Sequence, residues 1–296
     1  MPPIPPPTSS GFTTSTDVPL YWATWGTAGA TRLLVLHGGP GAHHDYLLPQ
    51  MLRVAEGCDR ELLFYDQRGG GRSKTDDRTP ITWRTHVTDL ARVIAELMPP
   101  GPPTIIGYSW GGLLALLYSI EASAGRVRPL PARLVLIDPA PATRQYRAAF
   151  EEEFARRMRS ADIEGLRREL ASSGTRERDP EAYRQCAFEL SVAGYFADPH
   201  QSHDLTPFRV TGRVQQSVWD SLGDFDLLAP GQLDTVKIPT LVVHGRQDPI
   251  PVASSEGIAR ALGARLVILD GSGHVPYVET PGQLFTTVDS FLAICP

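Results

Sequence analysis

Thr104 to Leu116, TIIGYSWGGLLAL, reads as a strand, a tight turn and a helix. The β-branched run Thr104-Ile105-Ile106 leads into Gly107-Tyr108-Ser109-Trp110-Gly111, which is G-x-S-x-G, and an apolar helix-forming run from Leu113 to Tyr118 follows. Such a turn holds its middle residue in a strained backbone conformation, and glycine on both sides removes Cβ atoms that would collide. Ser109 is thereby placed at the top of a sheet with its hydroxyl exposed. The helix behind it supplies free N–H groups and the positive end of its dipole where an oxyanion would form. A G-x-S-x-G string also arises by chance, so the strand and helix around it carry the weight.

Outward from this unit the chain alternates strands with helices. Val18–Trp25 and Arg32–Leu36 read as strands, and the latter ends in the loop His37-Gly38-Gly39-Pro40-Gly41. Glu61–Tyr65 is a strand that runs into Asp66-Gln67-Arg68-Gly69-Gly70-Gly71-Arg72-Ser73. Thr82–Met98 has apolar residues at helical spacing and stops at Pro99-Pro100. Arg133–Ile137 is a buried strand closing at Asp138-Pro139. Pro239–His244, a helix at Val252–Leu262, the strand Arg265–Leu269 and a helix from Pro281 to Ile294 complete the pattern.

Between them, residues 141–235 hold no β-rich run and dense charge, which reads as three to five helices inserted as a cap, with breaks near Gly174, Pro180 and 197–207. The charge runs read as solvated helix faces. Residues 1–15 are proline-rich and read as an extended arm outside the fold. The expected architecture is a mostly parallel sheet with helices on both faces, an α/β-hydrolase core at 16–140 and 236–296 around a helical cap at 141–235.

Composition narrows the function. The chain has 296 residues, 42% hydrophobic and 21% charged, with net charge −5. That balance is ordinary for a globular protein and gives no basic footprint for nucleic acid or an anionic membrane. No run approaches the ~18 apolar residues of a membrane span. The N-terminus lacks the basic and apolar regions of a signal peptide, so a cytoplasmic location is expected. Cys58, Cys186 and Cys295 are odd in number and far apart, which fits reduced thiols rather than a disulfide framework or a C-x-x-C site.

Two further loops follow strands at the same sheet edge: Gly245-Arg246-Gln247-Asp248 and Asp270-Gly271-Ser272-Gly273-His274. The chain order Ser109, Asp248, His274 is nucleophile, acid, histidine, the order of α/β-hydrolases. A serine hydroxyl needs a histidine to take its proton, and the histidine needs a carboxylate to fix its tautomer. Singly, such an Asp or His would be a turn former or a surface residue; jointly they form a candidate triad. His43-His44 has no carboxylate or cysteine at metal spacing, and no metal or organic cofactor is expected.

The motifs HGGPG at 37–41, DQRGGGRS at 66–73, GYSWGG at 107–112, GRQD at 245–248 and SGH at 272–274 together resemble the proline iminopeptidase family of α/β-hydrolases, which includes the tricorn-interacting aminopeptidases. The resemblance spans nearly the whole core. It implies that the N–H groups of Gly39 and Trp110 form the oxyanion hole and that Asp66 and Arg68 brace the loops. It also implies an aminopeptidase releasing N-terminal proline or a small apolar residue, acting on a small-molecule or short-peptide substrate.

One position departs from that pattern. Some family members hold the substrate ammonium with a glutamate directly after the triad aspartate, where this chain has Pro249, and Val214–Trp219 of the cap offers amides. The cap aromatics Phe188, Tyr195, Phe196, Phe208 and Trp219 then suggest a compact hydrophobic pocket, with plain cap core as the alternative. Glu189, Asp198, Asp204 and Asp220 are the acids near them, and one or two would have to face Ser109 to hold a cation. The alternatives are an esterase or amidase for small uncharged substrates, or an inactive hydrolase fold used for binding. Epoxide hydrolase or dehalogenase chemistry needs Asp where this chain has Ser109.

Overall fold

The computed structural model describes residues 3–293. The thiol of Cys295, the last expected helical residue Ile294 and the first two residues of the N-terminal arm lie outside the described residues.

Eight strands form one sheet: β1 (Ser9–Phe12), β2 (Tyr21–Gly26), β3 (Thr31–Leu36), β4 (Arg60–Tyr65), β5 (Thr104–Tyr108), β6 (Arg133–Ile137), β7 (Thr240–Gly245) and β8 (Arg265–Leu269). Their spatial order is β1-β2-β4-β3-β5-β6-β7-β8, with β1/β2 and β2/β4 antiparallel and the rest parallel. The strand order reverses at β3, which lies between β4 and β5, and a crevice opens beyond the carboxyl ends of such strands. The inner strands are short continuous apolar runs because both their faces are covered: Leu34, Val35, Ile105, Ile106, Leu134 and Val135 are fully buried.

Helices α1 (Trp83–Leu97), α2 (Trp110–Ser123), α8 (Val252–Leu262) and α10 (Pro281–Leu292) flank the sheet, with the short α9 (Pro276–Glu279) before the last. A capping box starts α1, where Thr82 and Thr85 exchange side-chain and backbone hydrogen bonds. One stripe of α1, including Val87, Leu90, Val93 and Ile94, is buried against one sheet face, and Leu284, Phe285, Val288 and Phe291 of α10 against the other. Fully burying each such side chain stabilises by about 1.5–3 kcal/mol.

Between β6 and β7 the chain builds α3 (Arg144–Arg157), α4 (Ala161–Ser172), α5 (Thr175–Arg178), α6 (Pro180–Val192) and α7 (Gly212–Leu222). Ser160, Asp179 and Thr143 cap three of these helices with their side chains. The charges of α3 lie on its surface and pair locally, as in Arg147 with Glu151 and Arg157 with Glu153. Only Ile163 of α4 and Val192 of α6 are buried among the first four cap helices, whereas α7 buries Val214 and Val218 in the core.

The N-terminal expectation needs correction. Residues 9–12 do not lie outside the fold: they pair with β2 from Ser9–Thr24 to Phe12–Tyr21 as the sheet's edge strand. The prolines stop at Pro7, so Ser9–Phe12 keeps the N–H groups that a ladder needs. Glu96 then accepts the backbone N–H groups of Thr14 and Ser15, which fastens the arm to α1. The following strand begins at Tyr21, three residues later than the sequence pattern suggests.

Arg68 is 2% exposed and forms a two-pronged pair with Asp89, itself 1% exposed, at 2.7 and 2.8 Å. Arg68→Met leaves the Asp89 carboxylate buried without a cation, at an expected loss of about 3–5 kcal/mol in folding free energy. Unpaired, Asp89 binds a proton more tightly folded than unfolded, so the loss measured by urea titration should be greater at pH 8 than at pH 5.

Candidate active site

Ser109 sits between β5 and α2 at φ 52° and ψ −119°, a conformation that L-residues adopt only under tertiary constraint. The surrounding backbone sets it: Ser109 donates its N–H to Ile137 at 2.9 Å and accepts from Ala140 at 2.9 Å. Glycine is required alongside, because a Cβ on Gly107 would meet the backbone of Gly111, and one on Gly111 the carbonyl of Leu36. The same closeness lets α2 start directly over β3.

The three strand-end residues meet there. The Ser109 hydroxyl donates to His274 Nε2 at 2.9 Å, and His274 Nδ1 donates to Asp248 Oδ2 at 2.7 Å. The loop bearing His274 is held from several sides. Its backbone N–H reaches Tyr195 O of the cap at 2.7 Å, its carbonyl accepts the Tyr108 hydroxyl at 2.9 Å, and both phenol rings pack against the imidazole. This arrangement can pass the serine proton to His274 while Asp248 fixes the ring and stabilises the imidazolium.

Asp248 has a neighbour that the motif reading passed over. Asp138, at the end of β6, is fully buried at φ 41°, and its Oδ1 accepts the N–H of Gly245 at 2.7 Å. Carboxyl oxygens of Asp138 and Asp248 and a nitrogen of His274 lie within 4.8 Å of one another. His244 is also near, but its Nδ1 takes the Ser255 hydroxyl at 2.9 Å and its Nε2 meets Ile250 O at 3.1 Å, so it serves as a neutral ring. Burial, then the Asp248 charge, push Asp138 well above the carboxylate range, while the His274 charge and hydrogen bond hold Asp248 low against its own burial. The neutral acid is thereby favoured at Asp138, and its Oδ2 makes no hydrogen bond among the described residues. This trio is the metal-spaced group among the described residues, and both His274 nitrogens are already engaged.

Gly39, at φ 56°, and Trp110, at the first position of α2, border the cavity in front of Ser109. The Trp110 N–H lies in the first helical turn and has no acceptor within its helix. The Trp110 indole donates to Gln67, Gln67 donates to His37 O, and the His37 ring accepts the Gln67 N–H, so the loop at 37–41 is tied to β4's carboxyl end. Burial lowers His37 to about 4, and its ring stays neutral in this bracing role. Asp66 accepts from the His44 ring and the Arg72 N–H, bonds that hold its carboxyl low although burial opposes them.

The cavity over Ser109 has a volume of about 120 Å³. Of the cap residues singled out in the sequence, Tyr195, Phe208, Trp219 and the amide-bearing Gln215 line it; Phe150, not singled out, does so too. Phe196 does not: it is 2% exposed inside the core, as the plain-core alternative has it. The expectation of a cap carboxylate facing Ser109 is also corrected, since no Asp or Glu lines the cavity among the described residues. Glu189 accepts from Gln185 on α6, Asp220 from Gln216 on the exposed face of α7, Asp204 lies on the surface beside His203, and exposed Asp198 caps a turn. Each stays near water because a carboxylate buried among these aromatics would lack a cation.

Glu279 was not legible in the sequence. It follows His274 by five positions and accepts the N–H of Gly273 and of Ala197 in the cap, both at 2.7 Å, joining the histidine loop to the cap. Burial pushes its carboxyl up from 4.5 to about 7, past the pull of those donors. The folded chain then binds this proton more tightly than the unfolded chain. The stability it contributes is complete below about pH 4.5 and is lost as pH rises through about 7. Glu279→Gln should flatten the fall in urea midpoint between pH 5 and pH 8; an unchanged fall refutes the assignment.

Among known proteins the chain is 24% identical over 292 residues to a proline iminopeptidase of Saccharolobus solfataricus, covering 95% of this chain and 91% of that protein. The crystal structure of a proline iminopeptidase from Mycobacterium smegmatis superposes with TM-score 0.69 at 21% identity, covering 96% and 97% of the two chains. An esterase from Exiguobacterium antarcticum superposes with TM-score 0.68 at 22% identity, covering 97% of this chain and 100% of that one, and both structures show the shared fold. No helix among the described residues is long and apolar enough to cross a membrane. The model of the alpha/beta hydrolase family matches residues 33–287, and the chain belongs to that family.

Proposed function

We propose that this hydrolase works through Ser109, His274 and Asp248 by an acyl-enzyme route, cleaving esters or amides whose acyl part is small, apolar and uncharged. The observation that carries the reading is the carboxylate-free cavity over Ser109. A cavity of about 150 Å³ takes a benzene ring, so the 120 Å³ here suits an acyl group of similar or smaller size. Bringing in an ammonium with no carboxylate to meet it would cost several kcal/mol.

In this route the Ser109 oxygen attacks the carbonyl carbon as its proton moves to His274 Nε2. The N–H groups of Gly39 and Trp110 receive the oxyanion. His274 returns the proton to the leaving oxygen or nitrogen, and water repeats the sequence on the acyl-enzyme.

The second reading, an aminopeptidase releasing N-terminal proline or a small apolar residue, is favoured by relatives named as proline iminopeptidases, that of Saccharolobus solfataricus among them. Proline p-nitroanilide, its N-acetylated form and p-nitrophenyl butyrate separate the two. The expected result is that the acetylated anilide exceeds the free amine by at least ~10-fold in kcat/KM, the size of a charge-burial penalty of a few kcal/mol after partial solvation. A faster free amine establishes the aminopeptidase reading in its place.

A further inference from the structure

A second cavity, of about 770 Å³, opens between α6 and the loops that carry Gly41, Lys74 and Arg209. Glu181, Arg184, Gln185 and Phe188 line it from α6, and their spacing of three, four and seven places them on one helix face. Lys74, Arg184 and Arg209 are exposed there, and none makes a side-chain hydrogen bond or ion pair among the described residues. Among the described residues, the one acid lining the cavity is Glu181. Three free cations against one carboxylate make a local positive excess in a chain whose net charge is −5. Elsewhere on the cap, arginines such as Arg147, Arg156 and Arg157 pair with glutamates one turn away.

This cavity adjoins the one over Ser109. Phe208 and Val210 line both. The Phe208 ring lies 4.4 Å from that of Tyr46 on the Ser109 side and 5.5 Å, edge-on, from that of Phe188 on the basic side. A substrate whose acyl group fills the small cavity must leave its remainder outside, and past Phe208 that remainder meets the cations. His43 also lines the basic cavity, with its Nδ1 turned to the Asp45 carboxylate at 3.6 Å.

We propose that the basic cavity binds an anionic group, a carboxylate or a phosphate, borne by the substrate at the end remote from the scissile bond. The inference rests on the acyl-hydrolase reading for the word substrate, but the anion site itself does not depend on turnover. Cations around an open cleft also raise the local concentration of an anionic ligand, in a manner that salt screens.

Alkyl phosphates and alkyl carboxylates of graded length, titrated into the full chain at low ionic strength by calorimetry, test binding without chemistry. Their ω-acetoxy esters then test it as substrate recognition. One anionic series should bind at least about 10-fold more tightly than its neutral methyl esters, with the advantage shrinking as salt is added. Arg184→Gln and Arg209→Gln should each reduce that advantage about five-fold, and Glu181→Gln should increase it, as expected for partly exposed charge contacts. Tighter binding of the phosphate than of the carboxylate of equal length assigns the anion as phosphate, and the reverse assigns carboxylate. Equal binding of charged and neutral ligands, or indifference to these three substitutions, overturns the proposal whether or not any ester is cleaved. Charge-dependent binding with no cleavage supports the site and overturns its role in substrate recognition alone.

Discussion

Ser109→Ala should lower kcat/KM on any acyl substrate by about 10⁴- to 10⁶-fold and abolish labelling by a fluorophosphonate probe, with the thermal midpoint within a few degrees of wild type. The size follows from the mechanism: without Oγ there is no acyl-enzyme, and only the oxyanion donors and substrate positioning remain to assist water. Stability should change little because the hydroxyl's hydrogen bond goes to His274, and no backbone group depends on it. The positive φ at this position is imposed by bonds from the Ser109 backbone to Ile137 and Ala140, which alanine retains. A Ser109→Ala variant that still turns over ester or accepts the probe would move the nucleophile elsewhere. Folded wild type that resists the probe would favour an inactive binding module.

The sequence displays those features that the fold cannot vary. Leu33 to Leu36, Ile105 to Ile106 and Leu134 to Ile137 must be apolar on both faces, so they read as strands without help from tertiary context. Gly107 and Gly111 are legible because backbone approaches within the turn leave no room for a Cβ. Asp248 and His274 could be found because both follow strands at the one sheet edge where Ser109 also emerges. By contrast, a carboxylate near aromatic residues in sequence can turn either way on a helix. Trp219 faces the cavity while Asp220, one position on, faces water. Phe196 and Phe208 look alike as cap aromatics, yet one fills the core and the other lines two cavities. Ser9–Phe12 was hidden by the prolines before it. Glu279 acts by accepting two backbone N–H groups, and backbone donors carry no sequence signal.

Asp138 is visible in the sequence only as a strand-end residue, yet the second large effect is expected there. As a neutral acid, the state that burial and the Asp248 charge favour, it would offer a proton on Oδ2 to Asp248 while Oδ1 accepts the Gly245 N–H. Asp138→Asn reproduces both contacts with an uncharged amide and tolerates the positive φ, so kcat/KM should stay within about three-fold of wild type. Asp138→Ala removes both. It leaves a buried N–H on the strand that leads to Asp248 and takes a donor from Asp248 itself, at about 1–3 kcal/mol for each unsatisfied group. A hydrogen bond from Asp138 would lower Asp248, so its loss should move the Asp248 carboxyl upward. The proposed route needs Asp248 ionised, so the acid limb of the kcat/KM profile should move to higher pH in Asp138→Ala, with a fall of about 100-fold at neutral pH. A role in packing alone would lower the yield of folded protein and leave that limb in place. An ionised Asp138 would reverse the ranking of outcomes, because Asp138→Asn would then remove a buried charge that stabilises the imidazolium. A drop of more than tenfold in Asp138→Asn would therefore show that the second carboxyl is a charge facing the histidine and not a proton donor to the triad acid.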